Sequence, residues 1–412
     1  MSTTGVGELP NTSAGRIAGR KFASLDGVRG IAILLVLLTH CKDYIPSGIV
    51  RIAVAKEVLS WGWTGVDLFF VLSGFLITGI LLDSRTAENY FSGFYARRVL
   101  RIFPLYYLVL TGVLVGASFM HPYPAQLPLP EDRKLYFVHL TNWLCLWKGQ
   151  WQANFLGHFW SLAVEEQFYL VWPICVWLLR PAALRRVGLF TLVAICLFRC
   201  YWVSTHGPSV ALVLATLTRM DGLIVGTLCA LVFQEAESVK AALKWLSWVA
   251  SITLGCFAAG VLILRESPTL VESFAQTIGI SLLALGFGAL VLKAAATEGA
   301  PTLFQKLLCT RTLRTLGKYS YGIYVFHVPL LGAASVFFVR HSGPPNTLAW
   351  KLWWCLCLAL TTAAIPIIAA LSYEYFERPL LSLKRYFEPR FSASPGKVVI
   401  GIRENYAAPN SS

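Results

Sequence analysis

Residues 24–41 read SLDGVRGIAILLVLLTHC, an apolar run with an arginine near its start and a histidine near its end. The apolar part, which we place at 29–45, approaches the roughly 20 residues that a helix needs to cross the hydrocarbon core of a bilayer. An ionisable side chain at membrane depth is costly and by default marks a functional site. This stretch therefore predicts a transmembrane helix with Arg29 and His40 as candidate functional residues.

The composition extends this interpretation to the whole chain. Of its 412 residues 56% are hydrophobic and only 14% are charged, whereas soluble domains carry roughly 25% charged residues. We expect an all-α integral membrane protein, a polytopic bundle of about ten transmembrane helices. A membrane domain at 29–376 would lie between tails at 1–28 and 377–412. After the first, the predicted spans are 61–82, 102–120, 159–179, 188–204, 212–233, 245–264, 273–292, 319–339 and 352–376.

The distribution of basic residues predicts the orientation of the bundle. The N-terminal tail, the loops at 83–103 and 293–318 and the tail after 376 are strongly basic, whereas the alternate loops are short, neutral or mixed. Cytoplasmic loops carry an excess of Lys and Arg, so both termini are predicted to be cytoplasmic. The segment 135–151 would break this alternation as a span, and we expect it to be interfacial or re-entrant. Without a recognisable cleavage site, the first run is expected to stay as a retained helix in the inner (cytoplasmic) membrane.

The excess of positive charge does not indicate a nucleic-acid-binding protein. The net charge is +14, but the basic residues lie between apolar runs, where anionic lipid head groups are their natural partners. The ten cysteines show no CxxC pair and no spacing typical of zinc ligands. We therefore expect membrane lipids as partners, no nucleic acid and no metal.

Arginines form the first group of candidate site residues. Arg29 and His40 are eleven residues apart, so on a helix they share a face and lie roughly 16 Å apart along the axis. Arg98 and Arg101 are one turn apart in FYARRVLRIFPLYY, and two guanidiniums on one face can bind phosphate or carboxylate. Together these arginines predict an anion site. The alternatives are a snorkelling end charge for Arg29 and a structural hydrogen bond for His40.

Acidic residues and further histidines form the second group. Glu165 and Glu166 lie about two turns inside the apolar run GHFWSLAVEEQFYLVWP, with His158 at its mouth. Adjacent helical residues point about 100° apart, so at most one of the two glutamates can face a given cavity. In the ninth span, His327 and Tyr324 belong to a polar stripe, and His327 is either a site residue or a hydrogen-bonding contact between helices.

A third group looks structural. Asp67, Arg219 and Asp221 lie inside apolar runs, and we expect them to form a buried charge pair or network.

The order and wording of six motifs resemble the acyltransferase-3 family of integral-membrane O-acyltransferases, from about residue 22 to 387. The motifs are SLDGVRGIAILLVLLTH, GVDLFFVLSGFLIT, FYARRVLRIFPLYY, HFWSLAVEEQFYLVWP, YSYGIYVFH and YFERPL. The resemblance implies about ten spans, an acyl-CoA donor such as acetyl-CoA taken from the cytoplasm, and transfer of the acyl group to a hydroxyl of a carbohydrate or glycan-like acceptor. Some members carry a further C-terminal hydrolase-like domain, so their acceptors are not carried over.

The resemblance also implies roles for individual residues. The arginine–histidine motif of the family falls on Arg29 and His40, its paired-arginine motif on Arg98 and Arg101, and its acidic position on Glu165 and Glu166. Our hypothesis is that the arginines bind the phosphates of acyl-CoA while His40 acts as general base. One of the glutamates would set the tautomer of His40. Asp67, His158, Tyr324 and His327 are candidate supporting residues.

Two other functions use the same residues. In a transporter or flippase for a glycan or lipid-linked substrate, the charged side chains would line a pathway. In a pH or ligand sensor, the buried histidines would titrate. The sequence predicts neither the acceptor nor whether transfer passes through an acyl-His40 intermediate.

Overall fold

The computed structural model describes residues 17–45, 59–116, 127–152, 155–341 and 347–392. In these ranges all regular secondary structure is helical, as predicted. The α-helices are α1 (Ala23–Asp43), α2 (Thr64–Asp83), α3 (Tyr90–Gly116), α4 (Arg133–Phe137), α5 (Thr141–Lys148), α6 (Phe159–Leu178), α7 (Pro181–His206), α8 (Val210–Leu214), α9 (Asp221–Gln234), α10 (Ala236–Leu264), α11 (Pro268–Phe274), α12 (Ile280–Ala296), α13 (Leu303–Leu308), α14 (Arg311–Lys318), α15 (Ser320–His341), α16 (Leu348–Ser372) and α17 (Arg378–Ser382). Short 3₁₀ helices occupy Trp61–Trp63, Pro130–Asp132, Leu217–Arg219 and Leu383–Phe387, and π-helical turns at Ala275–Gly279 and Tyr373–Glu377 join α11 to α12 and α16 to α17.

Eight helices of the described residues are long and apolar enough to cross a membrane. They are α1, α2 with the 3₁₀ turn before it, α3, α7, α10, α11–α12, α15 and α16 with its extension to Phe387. The other two predicted spans correspond to α6, which has 20 residues but contains two glutamates, and to α8–α9. The chain is thus a multi-pass membrane protein, and a count of ten and the orientation of its ends remain predictions.

Lipid-facing surfaces are visible on the outer helices. On α7, Phe190, Leu197 and Tyr201 each expose more than half of their surface, and Ile263 on α10 is also exposed. Large apolar side chains that would be costly in water are compatible with hydrocarbon. By contrast, most of α2 is buried inside the bundle.

The predicted span 212–233 is not one continuous helix. α8 ends at Leu214, a 3₁₀ turn follows, and α9 begins at Asp221. Arg199 of α7 bridges the break: its Nη1 donates to Asp221 Oδ1 (2.6 Å) and to the carbonyl oxygen of Thr218 (2.8 Å), and its Nη2 donates to Asp221 Oδ2 (2.9 Å). A buried carbonyl that loses its helical partner needs another donor, and this guanidinium provides it.

The predicted charge network consists of two buried ion pairs. One joins Arg199 to Asp221, and the other joins Arg219 Nη2 to Asp67 Oδ1 at 3.0 Å. Asp221 and Arg219 lie close together in sequence but pair with different residues. The network therefore includes Arg199, which was not predicted from the sequence. Losing one partner of a buried pair typically costs about 3–5 kcal/mol.

The segment 135–151 forms no spanning helix. It contains the end of α4 and all of α5, of five and eight residues, and is joined to α3 by the hydroxyl of Tyr106, which donates to the carbonyl oxygen of Tyr136 (2.6 Å).

Glycines allow α2 and α9 to pack backbone against backbone. A Cβ atom added at Gly74 would lie 2.0 Å from the carbonyl oxygen of Leu223, and one added at Gly226 would lie 2.1 Å from that of Val71. Gly222 and Gly226 are four residues apart, the small-residue spacing typical of close helix contacts in membranes. This contact brings α9 against the centrally buried helix.

We expect Gly226→Ala to destabilise the protein by about 1–3 kcal/mol or more, because the obstructing atoms belong to the backbone of α2. Gly255→Ala in α10 is the matched control. Apart from its own stretch of helix, no atom of the described residues lies within 4 Å of the added Cβ, and alanine favours a helix over glycine by roughly 1 kcal/mol. Thermal unfolding in detergent should show a lower Tm for the first variant only. An equal change in both variants would contradict the close contact.

Candidate active site

Two cavities contain most of the candidate site residues. The arginine cavity has a volume of about 270 Å³ and the aromatic cavity about 850 Å³. Polar lining residues of the arginine cavity are Arg29, Arg98, Arg101, Lys384, Glu165, Ser73, Ser161, Tyr169, Ser320, Tyr321 and Tyr324. The aromatic cavity is lined by His40, His158, Tyr44, Trp61, Trp63, Trp151, Trp160 and Tyr324, together with Asp43, Gln152, Ser209, Arg219, Glu272 and Gln276.

The three predicted arginines do come together. α1 provides Arg29, and α3 provides Arg98 and Arg101 on consecutive turns. Arg29 Nη1 donates to Asp26 Oδ1 at 2.8 Å. Among the described residues the buried Nε of Arg98 has no hydrogen-bond partner. A guanidinium with a buried, free donor atom, in a cavity lined by further cations, is suited to an anionic ligand.

The adjacent glutamates point to different places, as the geometry of a helix predicts. Glu165 lines the arginine cavity, where its Oε1 accepts a hydrogen bond from Ser73 Oγ (2.8 Å) and its Oε2 accepts one from the hydroxyl of Tyr169 (3.2 Å). Glu166 does not line that cavity, and its buried Oε1 has no partner in the described part of the chain.

The three predicted histidines form one cluster. The ring of His327 lies 4.7 Å from that of His40 and 4.9 Å from that of His158, measured between centroids. His40 and His158 line the aromatic cavity, and His327 is fully buried behind them. No group of three or more His, Cys, Asp or Glu residues in the described ranges is arranged to hold a metal ion.

Hydrogen bonds to backbone carbonyls orient two of the three histidines, whereas neither ring nitrogen of His158 has a partner among the described residues. His40 Nδ1 lies 2.9 Å from the carbonyl oxygen of Val36, and His327 Nδ1 lies 2.6 Å from that of Tyr324. A carbonyl accepts only, so each Nδ1 carries the proton and each Nε2 is left as the basic nitrogen. For His40, this atom can act as a base in the aromatic cavity.

Among the described residues, no carboxylate forms the hydrogen bond with His40 that we expected. The position is filled by a carbonyl four residues earlier on the same helix, and Glu165 is bonded to Ser73 and Tyr169 instead. Sequence spacing could not reveal this, because the rotamer of a helical histidine decides whether its ring reaches the carbonyl one turn earlier.

A shared wall separates the two cavities. Val66 and Tyr324 line both of them. The hydroxyl of Tyr324 donates to the carbonyl oxygen of His158 (3.0 Å) and also makes a short hydrogen bond with Ser161. The arginines thus lie on one side of Tyr324 and His40 on the other.

Asp67 supports the aromatic cavity through its ion pair with Arg219. Its partner Arg219 lines that cavity, and the guanidinium lies 5.7–5.9 Å from the ring centroids of Trp63, Phe70 and Trp160. Ion pairing and cation–π contact hold this arginine in place, so both residues have a structural role in the geometry described.

Several lining residues were not predicted. Tyr169 is one turn after Glu165, a spacing that could have identified it. Ser73 and Ser161 are too common in membrane helices to stand out. Lys384 lies in the basic tail, and only the folded chain brings it to the arginines.

Comparison with curated proteins identifies bacterial relatives. The chain is similar to Peptidoglycan O-acetyltransferase OatA of Listeria monocytogenes (29% identity, covering 88% of this chain and 56% of the relative). It is also similar to Putative peptidoglycan O-acetyltransferase YrhL of Bacillus subtilis (27% identity; 88% and 55%) and to O-acetyltransferase OatA of Staphylococcus aureus (26% identity; 88% and 57%). The chain thus spans little more than half the length of these relatives. No solved structure gives a significant match.

The profile of the family described as Acyltransferase domain matches residues 22–372. These residues include α1 with Arg29 and His40, the paired arginines of α3, both glutamates and all three clustered histidines. The chain therefore belongs to the acyltransferase-3 family, as its six sequence motifs predict.

Proposed function

We propose that the chain is a membrane O-acyltransferase that moves an acetyl or other short acyl group from acyl-CoA to a hydroxyl of a glycan acceptor. One observation carries the proposal: a cavity lined by arginines and a cavity containing a histidine base share the wall formed by Val66 and Tyr324. An anionic donor and a neutral hydroxylic acceptor can each occupy a cavity of suitable chemistry and react at that wall.

The arginine cavity is suited to the donor. Arg29, Arg98 and Arg101 would bind the phosphates of coenzyme A, and the extended pantetheine arm would point toward Tyr324. Arg29 and His40 lie roughly 16 Å apart along α1, a distance that an extended arm can bridge. Acyl-CoA is made in the cytoplasm, so this assignment places the arginine cavity on the cytoplasmic side. It agrees with cytoplasmic termini and a location in the inner membrane.

The aromatic cavity is suited to a carbohydrate. Flat rings of Trp61, Trp63, Trp151 and Trp160 can pack against the apolar faces of sugar rings, while Gln152 and Gln276 can exchange hydrogen bonds with hydroxyls. The names of the relatives from Listeria and Bacillus refer to peptidoglycan, and we extend to this chain only the class of acceptor, a glycan.

His40 would provide the proton transfers. Its Nε2 accepts the proton of the acceptor hydroxyl while the oxygen attacks the thioester carbonyl carbon. The C–S bond then breaks, and the imidazolium returns the proton to the departing thiolate, so that the products are an ester and free coenzyme A. A path through an acyl-His40 intermediate balances equally and differs in giving ping-pong kinetics.

The transporter alternative receives no support from the relatives, which carry acetyltransferase names. Consumption of acetyl-CoA distinguishes the two functions, because a transporter has no reason to release free coenzyme A.

We expect His40→Ala to lower acetyl-CoA-dependent transfer by roughly 10²–10⁴-fold, the usual contribution of general base catalysis. Purified protein, acetyl-CoA and a glycan acceptor would be used, with release of free coenzyme A as the measurement. His206→Ala is the control, because His206 is exposed at the end of α7 and stacks on Trp202. Near wild-type turnover of His40→Ala would remove this histidine from the mechanism.

Arg98→Gln should weaken binding of coenzyme A by about tenfold or more, because a charge-assisted hydrogen bond to phosphate is lost. Calorimetric titration measures the affinity directly. Arg186→Gln serves as control, since Arg186 is exposed and its Nε bonds only within its own helix. Unchanged affinity of Arg98→Gln would place the phosphates elsewhere.

The two glutamates should differ. We expect Glu165→Gln to lower kcat/KM by about tenfold or more, because this carboxylate faces the arginine cavity and holds Ser73 and Tyr169. Glu166→Gln should have a smaller effect, since Glu166 does not line that cavity. The comparison requires both variants at equal stability, checked by their Tm. A larger loss in Glu166→Gln would reverse the assignment.

A further inference from the structure

The chain after α17 runs back along the start of α3. We call residues 383–392 the C-terminal strap. Backbone and side-chain hydrogen bonds attach it: Asn89 Nδ2 donates to the carbonyl oxygen of Glu388 (2.9 Å), the Arg390 amide to Asn89 Oδ1 (2.8 Å) and the Glu88 amide to the carbonyl oxygen of Arg390 (2.8 Å). Arg97 also donates to the carbonyl oxygen of Phe387.

The strap lies close to α3 at Gly93. A Cβ atom added at Gly93 would lie 3.0 Å from the carbonyl oxygen of Phe387. The strap is therefore part of the folded bundle at this helix.

The attachment brings one side chain of the strap into the arginine cavity. Lys384 lines that cavity together with Arg29, Arg98 and Arg101. Its side-chain ammonium group forms no hydrogen bond or ion pair with another described residue. Its neighbour Arg385 is exposed and donates to the hydroxyl of Tyr386 (2.9 Å). Adjacent cations of one short helix thus have different surroundings.

The charge balance of the cavity is strongly positive. Four cations line it, whereas Glu165 is the carboxylate among the lining residues. Asp26 is paired with Arg29, and Glu377 is held by Ser372 near Arg101. Bringing like charges together in a partly buried site costs free energy that a polyanion would recover. Arg98 lines the same cavity, and its buried Nε has no hydrogen-bond partner among the described residues, so this guanidinium keeps a free donor.

Lys384 lies beyond the end of the family profile. That profile matches residues 22–372, whereas Lys384 belongs to the strap that follows α17.

We propose that Lys384 is a phosphate-binding residue of the donor site, held in place by the C-terminal strap, and that its ligand is a phosphate group of acyl-CoA. This inference rests on the proposed function and extends it to a segment outside the family profile. The ammonium group would act beside the three guanidiniums, as a point charge toward phosphate oxygens.

Binding of coenzyme A to the purified full chain in detergent tests the proposal. Lys384→Met should weaken binding by about tenfold, Lys384→Arg should retain most of the affinity, and Arg385→Gln should bind within about twofold of wild type. Affinity of Lys384→Met equal to that of wild type would overturn the proposal, as would an equal loss in Arg385→Gln.

A donor without phosphates separates phosphate binding from a structural role. With S-acetylpantetheine as donor, Lys384→Met and wild type should turn over at equal rates. If Lys384→Met lowers the rate with S-acetylpantetheine as much as it lowers the rate with acetyl-CoA, the lysine supports the fold of the cavity. That result would refute phosphate binding.

Lipid head groups also contain phosphate, so the titration is repeated in nanodiscs with and without phosphatidylglycerol. A loss that appears only with the anionic lipid would assign Lys384 to the membrane and overturn the proposal. Failure of the wild-type chain to bind coenzyme A at all would refute the proposed function itself. That result is distinct from one in which wild type binds and Lys384→Met binds with the same affinity.

Discussion

The buried ion pair between Arg199 and Asp221 is the interaction on which the arrangement of the aromatic cavity depends. In a low-dielectric interior, two charges are tolerated when they satisfy one another and the neighbouring polar groups. Arg199 does both. It donates one hydrogen bond to each carboxylate oxygen of Asp221 and another to the carbonyl oxygen of Thr218. The chain can therefore interrupt its helix between α8 and α9. That interruption leaves Arg219 at the cavity wall, where Asp67 and three aromatic rings hold it.

A second constraint is that polar groups of different character are kept apart. Four cations line one cavity, whereas histidines and tryptophans dominate the lining of the other, which has Arg219 as its one cation among the described residues. Each set has its own local support: hydroxyl groups around Glu165, backbone carbonyls behind His40 and His327. Two reactants of different charge can thus be recognised independently. The tyrosine between them is hydrogen-bonded on the side of His158 and Ser161, which defines its position.

The helical fold and much of the site could be predicted from sequence, because each rests on local patterns. Apolar runs indicate helices, eleven-residue spacing puts Arg29 and His40 on one face, and the 100° between neighbours separates Glu165 from Glu166. Contacts between distant segments could not be predicted in this way. Arg199 lies inside the predicted span 188–204 and was not identified as a candidate, because its importance arises from Asp221 across a helix interface.

Helix boundaries were also incompletely predicted from the sequence. α3 begins at Tyr90 rather than near 102, since an amphipathic turn carrying arginines continues the helix beyond its apolar part. The partner of His40 was expected to be a carboxylate because catalytic histidines often have one, but the helix itself offered a nearer acceptor. No sequence pattern predicted the position of the strap at 383–392, because its hydrogen bonds join it to residues some 300 positions away in the chain.

The wall formed by Val66 and Tyr324 has a consequence for the membrane as a whole. If the two cavities were one continuous polar channel, protons and small ions would follow it and the electrical insulation of the bilayer would be lost. Val66 and Tyr324 lie between the two cavities, an arrangement that is compatible with that insulation. In the proposed function the group that passes this wall is an acyl group, which is small and uncharged. Its transfer would therefore connect the two cavities chemically without moving charge between them.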